Sequence, residues 1–179
     1  LLMSHTPTVV VEADEFDRSF LQLHPEIAVI TAMDADHLDI YGDLEHVHEA
    51  FKAFASQVSG TVIAKLGLDI TSKDTNAKIL RYHYNDPKAD FYARNPQPDQ
   101  LGYFSFDIGW PGGVIDGVKC GTPGWVNVEN SVAAAAICLT YGLKPEAIKH
   151  AIGTFQGVKR RLDIHVNTEK ISYIDDYAH

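Results

Sequence analysis

Short runs of β-branched and aliphatic residues, each stopping at a cluster of charge, mark the first third of the chain. Thr8–Val11 reads as a short buried strand and ends in Glu12, Asp14, Glu15 and Asp17. Ile27–Thr31, entered through Pro25, reads as a second buried strand and ends in Asp34, Asp36, His37 and Asp39. Between Leu44 and Val58 the apolar positions Leu44, Val47, Phe51, Phe54, Ala55 and Val58 recur at helical spacing, with Asp43 placed as an N-cap. Thr61–Leu66 predicts a third strand. Strand, strand, helix and strand in that order predict an α/β fold with a mostly parallel sheet flanked by helices.

The pattern changes between 70 and 120. Ile79–Tyr84, Asp90–Ala93, Leu101–Ile108 and Gly113–Val118 are short β-like runs, separated by Asn85-Asp86-Pro87, Asn95-Pro96, Pro111-Gly112-Gly113 and Asp116-Gly117. They predict an antiparallel β excursion around 70–120 appended to the parallel sheet. Asn127–Tyr141 predicts an Ala-rich helix ended by Gly142. Pro145 opens another helix, closed by Gly153 or Gly157. Ile164–Val166 and Ile171–Ile174 read as a strand pair beginning a new unit, which divides the chain into 1–156 and 157–179. There is no internal repeat and no low-complexity segment.

Composition narrows the function classes. The 179 residues suit one domain, or one domain and the start of another. The longest apolar stretch, Ser131–Leu143, falls short of the roughly 18–20 residues that span a bilayer, so no membrane partner is expected. A net charge of −9 repels nucleic-acid phosphates. Lys159-Arg160-Arg161 is the one basic run, suited to a phosphate contact or to a solvated linker. Cys120 and Cys138 lack metal or redox spacing; Cys138, in its Ala-rich setting, reads as a buried thiol, and a reducing cytoplasm is the expected location. The chain opens in mid-pattern at Leu1 and stops at His179 directly after an apolar run, so it is expected to be a piece of a longer polypeptide.

Candidate chemistry lies where strands end. Ligands of open α/β sheets bind beyond the carboxyl ends of parallel strands. If the first two predicted strands are parallel neighbours, Glu12 and His37 face one crevice, and a carboxylate beside an imidazole there can hold Mg²⁺, which keeps several waters and needs few protein ligands. A solvated acidic turn with a helix-capping Asp explains the same residues equally well. Asn127 and Asn130 lie three apart at a helix start, and by itself Asn127 reads as a helix cap.

Four segments carry a resemblance. Val11–Phe20 resembles the EADE-x-D-x-SF motif of Mur ligases, in the branch that adds alanine to a muramate, and Ala35–Tyr41 resembles that branch's DH-[LM]-D-x-Y motif at the matching distance. Pro123–Asn130 is similar to the family's G-x-HN-x-x-N segment, with Val126 where the family carries histidine. Phe155–Asp163 resembles the F-x-G-V-x-RR-x-[DE] junction, and Ile174–His179 the DDY-[AG]-HHP segment, here ending after its first histidine.

The resemblance implies an ATP-dependent ligase that joins L-alanine to UDP-N-acetylmuramate through an acyl phosphate in peptidoglycan precursor synthesis. It implies that Glu12 and His37 are catalytic and hold Mg²⁺, and that Asp14, Glu15, Ser19 and His179 lie near the substrates. Asn127 and Asn130 would seat adenine, while Arg161 and Asp176 would meet phosphate and ribose. The family's phosphate loop contains Gly-Lys-Thr, and no Gly-Lys-Ser/Thr occurs here. The expected chain is therefore a partial central domain with the start of the C-terminal domain, inactive without the other domains of the same polypeptide. Marginal stability or self-association is expected as well. A murein-tripeptide ligase and a nonenzymatic nucleotide-binding module are the alternatives.

Overall fold

The computed structural model describes residues 7–34, 41 and 43–177. Six strands form one sheet in sequence order: β1 (Ile27–Ile30), β2 (Thr61–Lys65), β3 (Lys78–His83), β4 (Phe91–Pro98), β5 (Tyr103–Trp110) and β6 (Gly113–Pro123). β1 to β4 pair in parallel, and β4, β5 and β6 pair antiparallel. The antiparallel part is thus continuous with the parallel part, and β3 belongs to the parallel side. Two of the expected turns lie inside strands. Asn95-Pro96 sits where the β4–β5 ladder shifts register between Arg94 and Gln97, with Asn95 at φ +51°. Asp116-Gly117 sits within β6, where Gly117 takes φ +62° and donates to Asp107 Oδ1 at 2.8 Å. Proline and left-handed residues fit a sheet at such irregularities without ending the strand.

Among the described residues three α-helices flank the sheet: α1 (Leu44–Ser56), α2 (Trp125–Tyr141) and α3 (Pro145–Thr154). Asp43 caps α1, its Oδ1 accepting from the His46 backbone N–H at 3.0 Å. Gly142 closes α2 at φ +96°, its N–H reaching the Cys138 and Leu139 carbonyls. Pro145 opens α3, which ends at Phe155 rather than at Gly153 or Gly157.

The period-2 alternation of the strands divides the core in two. Val62 and Ala64 of β2 join Ala28 and Ile30 of β1 against Val47, Phe54 and Ala55 of α1 and against Phe20. Ile63 joins Leu80, Tyr82 and Phe91 against Val128, Val132 and Ala136 of α2 and Ile148 and Ile152 of α3. Both faces of β2 are therefore covered, which is why it reads as a continuous apolar run. Each such aliphatic side chain contributes about 1.5–3 kcal/mol by leaving water.

The first expected strand does not form. Thr8–Val11 belongs to no strand and is exposed, Val10 by 87%. A strand needs a neighbour for its ladder, and β1 pairs only with β2 among the described residues. The expected burial of Cys138 is also corrected: it is half-buried, its thiol pushed up by that burial, and Cys120 is the buried cysteine. β7 (Asp163–Asn167) and β8 (Ser172–Asp175) form a separate antiparallel pair.

Candidate functional site

Asp14 to Ser19 folds as a self-bonded loop that runs into a 3-10 helix, Phe16–Gln22. Asp14 Oδ1 accepts from the Phe16 N–H at 3.0 Å, and the Ser19 hydroxyl donates to the Asp14 carbonyl at 3.1 Å. Asp17 and Arg18 take φ +50° and +61°, a left-handed region that non-glycine residues enter only where surroundings compensate. The compensation is visible: Asp17 Oδ1 accepts from the Ser19 N–H at 3.0 Å, and Phe20 anchors the loop between Phe51 and Phe54 at ring distances of 5.3 and 5.1 Å. Tyr41 closes the loop from outside. Its hydroxyl donates to the Glu15 carbonyl at 2.6 Å, and the Arg18 guanidinium lies 5.0 Å from its ring centre. Burial raises the Tyr41 phenol above its ordinary value, opposed in part by Arg18. The structure thereby brings together Asp14, Glu15 and Ser19.

Glu12 lies just before this loop, exposed and without an ion pair among the described residues. An exposed carboxylate with free oxygens suits a hard divalent cation. His37, Asp36 and Asp39 lie outside the described residues, as does His179. Among the described residues no group of three or more His, Cys, Asp or Glu side chains is arranged for a metal ion.

The parallel strands direct their carboxyl ends toward the start of α2. Tyr84, just past β3, meets Trp125 edge-on at 5.8 Å, and Lys65, the last residue of β2, meets Glu129. Gly124 starts α2 at φ +92°. The cap reading of Asn127 is corrected: Asn127 is the third helical residue, and its amide donates back to the Pro123 carbonyl at 2.6 Å. That bond leaves the side-chain carbonyl oxygen available. Asn130, one turn on, is exposed.

The segments around Arg161 and Asp176 converge on the same helix start. A Cβ placed on Gly124 would stand 3.1 Å from Leu162 Cδ1, and the Leu162 N–H donates to Asp176 Oδ1 at 2.9 Å. The Tyr177 N–H donates to the Arg160 carbonyl at 2.7 Å, and Arg160 stacks over the Tyr177 ring at 4.5 Å. Arg161 is exposed and lines a cavity of ≈ 110 Å³ together with Thr122, Pro123, Gly157 and Leu162. The linker that carries Arg161 and the end of β8 beside Asp176 are thus tied through Leu162 to Gly124, the residue that starts the helix of Asn127.

Sequence reasoning missed Lys65 and Glu129, whose Nζ and Oε2 stand 2.9 Å apart. Each is the one charged residue near the C-terminal end of its strand or within its helix, and that is the signal that marks them.

Residues 2–138 match the family model of the Mur ligase middle domain. The chain belongs to the Mur ligase family. Among curated Mur ligases, the UDP-N-acetylmuramate–L-alanine ligase of Parabacteroides distasonis is 44% identical over 183 residues, covering 100% of this chain and 39% of that protein. The ligase of the same name from Porphyromonas gingivalis is 40% identical, again over 100% of this chain and 40% of its own length. The chain therefore spans about two-fifths of the length of the curated relatives it matches. The Mur ligase fold recurs in the MurC crystal structure from Thermotoga maritima, with TM-score 0.73 and 23% identity over 90% of this chain and 37% of that one. MurF from Acinetobacter baumannii also gives TM-score 0.73, at 23% identity, over 86% of this chain and 34% of its own. No helix among the described residues is long and apolar enough to cross a membrane.

Proposed function

We propose that this chain is the nucleotide-binding part of a cytoplasmic ligase that joins L-alanine to UDP-N-acetylmuramate at the expense of ATP. The observation that carries the reading is identity of 40–44% along the whole chain to ligases of that name. The packing of the Arg161–Leu162 linker, and through it Asp176, against the start of the helix that carries Asn127 supports it from the geometry.

A lactyl carboxylate oxygen bonds the γ-phosphorus of ATP as the bond to the β,γ-bridging oxygen breaks and ADP leaves, which turns a poor electrophile into an acyl phosphate. The alanine amine then attacks the acyl carbon, and phosphate leaves as the C–N bond forms. Such chemistry depends on positioning and on neutralising charge. Glu12 and His37 would hold Mg²⁺, which when bound offsets the charge of the phosphates. Asn127, through its unused carbonyl oxygen, and Asn130 receive the base. Arg161 offers a permanently charged fork to phosphate oxygens. Asp176 accepts from ribose hydroxyls through the oxygen not engaged by Leu162. The loop from Asp14 to Ser19, with Glu15, would face the muramate, and the family resemblance assigns His179 to the amino acid.

The test is ATP-dependent ligation by the full-length protein, with L-alanine and with the tripeptide L-alanyl-γ-D-glutamyl-diaminopimelate offered in parallel. Amide formation with L-alanine is expected. Turnover of the tripeptide alone, or ATP binding without ligation, overturns the reading in favour of a recycling ligase or a binding module.

A further inference from the structure

Glu129 is the one acidic residue that the described core buries, and its carboxylate meets the Lys65 ammonium across the gap between α2 and the sheet. The two residues are 64 positions apart, and among the described residues no other ion pair ties α2 to a strand. The Glu129 side chain is 12% exposed and the Lys65 side chain 33%, and a part-buried pair of this kind adds little net stability, since an apolar pair of similar volume does about as well. What such a pair specifies well is register.

The middle of α2 carries small side chains only, Ala133-Ala134-Ala135-Ala136, and Ala133, Ala135 and Ala136 face the core. These methyl groups give a smooth stretch between the larger buried side chains Val128, Val132 and Leu139, and the ion pair adds to those apolar contacts a directional one. Lys65 pairs in register with Tyr82, and both share the sheet face of Ile63 that packs on α2. Tyr82 is buried beside Glu129, and burial followed by the Glu129 charge keeps its phenol protonated. Tyr84 against Trp125 adds an aromatic contact one turn nearer the helix start. The ion pair therefore falls at one defined height on α2, within the same two turns that carry Asn127 and Asn130.

We propose that the Lys65–Glu129 pair is a positioning lock that sets the axial register of α2 on the sheet and so places Asn127 and Asn130 against the nucleotide base. The inference rests on the nucleotide-binding reading above. The lock acts on base recognition more than on phosphate, because Asn127 and Asn130 are carried by α2 itself whereas Arg161 is carried by the linker, which meets α2 at its N-cap, through Leu162 at Gly124.

The experiment is calorimetric binding of ATP and GTP to the full-length protein and to its Lys65→Met, Lys65→Arg and Lys65→Met/Glu129→Met variants, with thermal unfolding measured alongside. The parent should prefer ATP. Lys65→Met should lose about tenfold of that preference through weaker ATP binding, with GTP affinity unchanged within about twofold. Lys65→Arg should restore the preference. The double variant, which removes both charges, should unfold near the parental temperature and still lack the preference, so a folding failure of Lys65→Met leaves the proposal testable. A folded double variant with parental preference overturns the lock, as does equal weakening of ATP and GTP. A parent that binds no ATP overturns the functional reading itself, which is a distinct outcome.

Discussion

The hydroxyl of Tyr41 donates to the backbone carbonyl of Glu15 at 2.6 Å, with the Arg18 guanidinium 5.0 Å from the same ring. Two segments that each carry an acidic cluster are joined at this point, 26 residues apart in the chain. Tyr41→Phe keeps the buried ring and removes one hydrogen bond. A loss of about 1 kcal/mol is expected in urea unfolding, and an unchanged midpoint refutes a holding role for the phenol.

Gly124→Ala tests the convergence at the start of α2. The substitution puts a Cβ at φ +92°, 3.1 Å from Leu162 Cδ1. A destabilisation of about 1–3 kcal/mol follows from the backbone alone. Nucleotide affinity of the full-length protein should fall with it, measured by calorimetry.

Asn130 is exposed on α2, so its side chain contributes little to packing. Asn130→Ala should change stability by no more than about 0.5 kcal/mol. ATP affinity of the full-length protein should nonetheless drop by about tenfold, the loss of a hydrogen bond or two to a base edge. Parental affinity would remove Asn130 from the site.

Glu12→Gln leaves an exposed side chain of the same shape and removes its charge. Circular dichroism should be unaltered while turnover of the full-length protein falls by at least about 100-fold, with the magnesium concentration for half-maximal rate raised. Equal turnover in both proteins would assign Glu12 to a solvated turn.

Acid should weaken the fold through Asp74 and Asp43. The Thr71 hydroxyl and backbone N–H hold the Asp74 carboxyl below its ordinary 3.8, and the His46 backbone N–H does the same for Asp43. A depressed folded-state value contributes stability that is fully present above 3.8 and is lost as pH falls through the folded-state value. Urea midpoints of the parent and of Asp74→Asn should therefore differ near neutrality and converge below 3.8. A constant difference across that range would show that the Thr71 contact does not depend on the Asp74 charge.

Much of the fold was legible in local pattern. The helix after Asp43, the stop at Gly142, the opening at Pro145 and the strand pair near the end all match the observed elements. Asn95-Pro96 and Asp116-Gly117 misled because turn chemistry also builds bulges, and only the neighbouring strand distinguishes the two. Asn127 misled because a capping residue type sits two positions past the residue that starts the helix. The contact of Leu162 with Asp176 was invisible, since a backbone donor carries no sequence signature.

The amino-acid sequence alone determined the three described helices and the ends at Asp43, Gly142 and Pro145, because a helix takes its hydrogen bonds from residues four positions away and its caps from the adjoining residues. It also carried the motifs that place the chain among the Mur ligases. Tertiary structure alone decided that Thr8–Val11 is not a strand and that Lys65 meets Glu129. A strand and an ion pair take their partners from elsewhere in the chain, and which partner arrives depends on how the whole sheet is assembled.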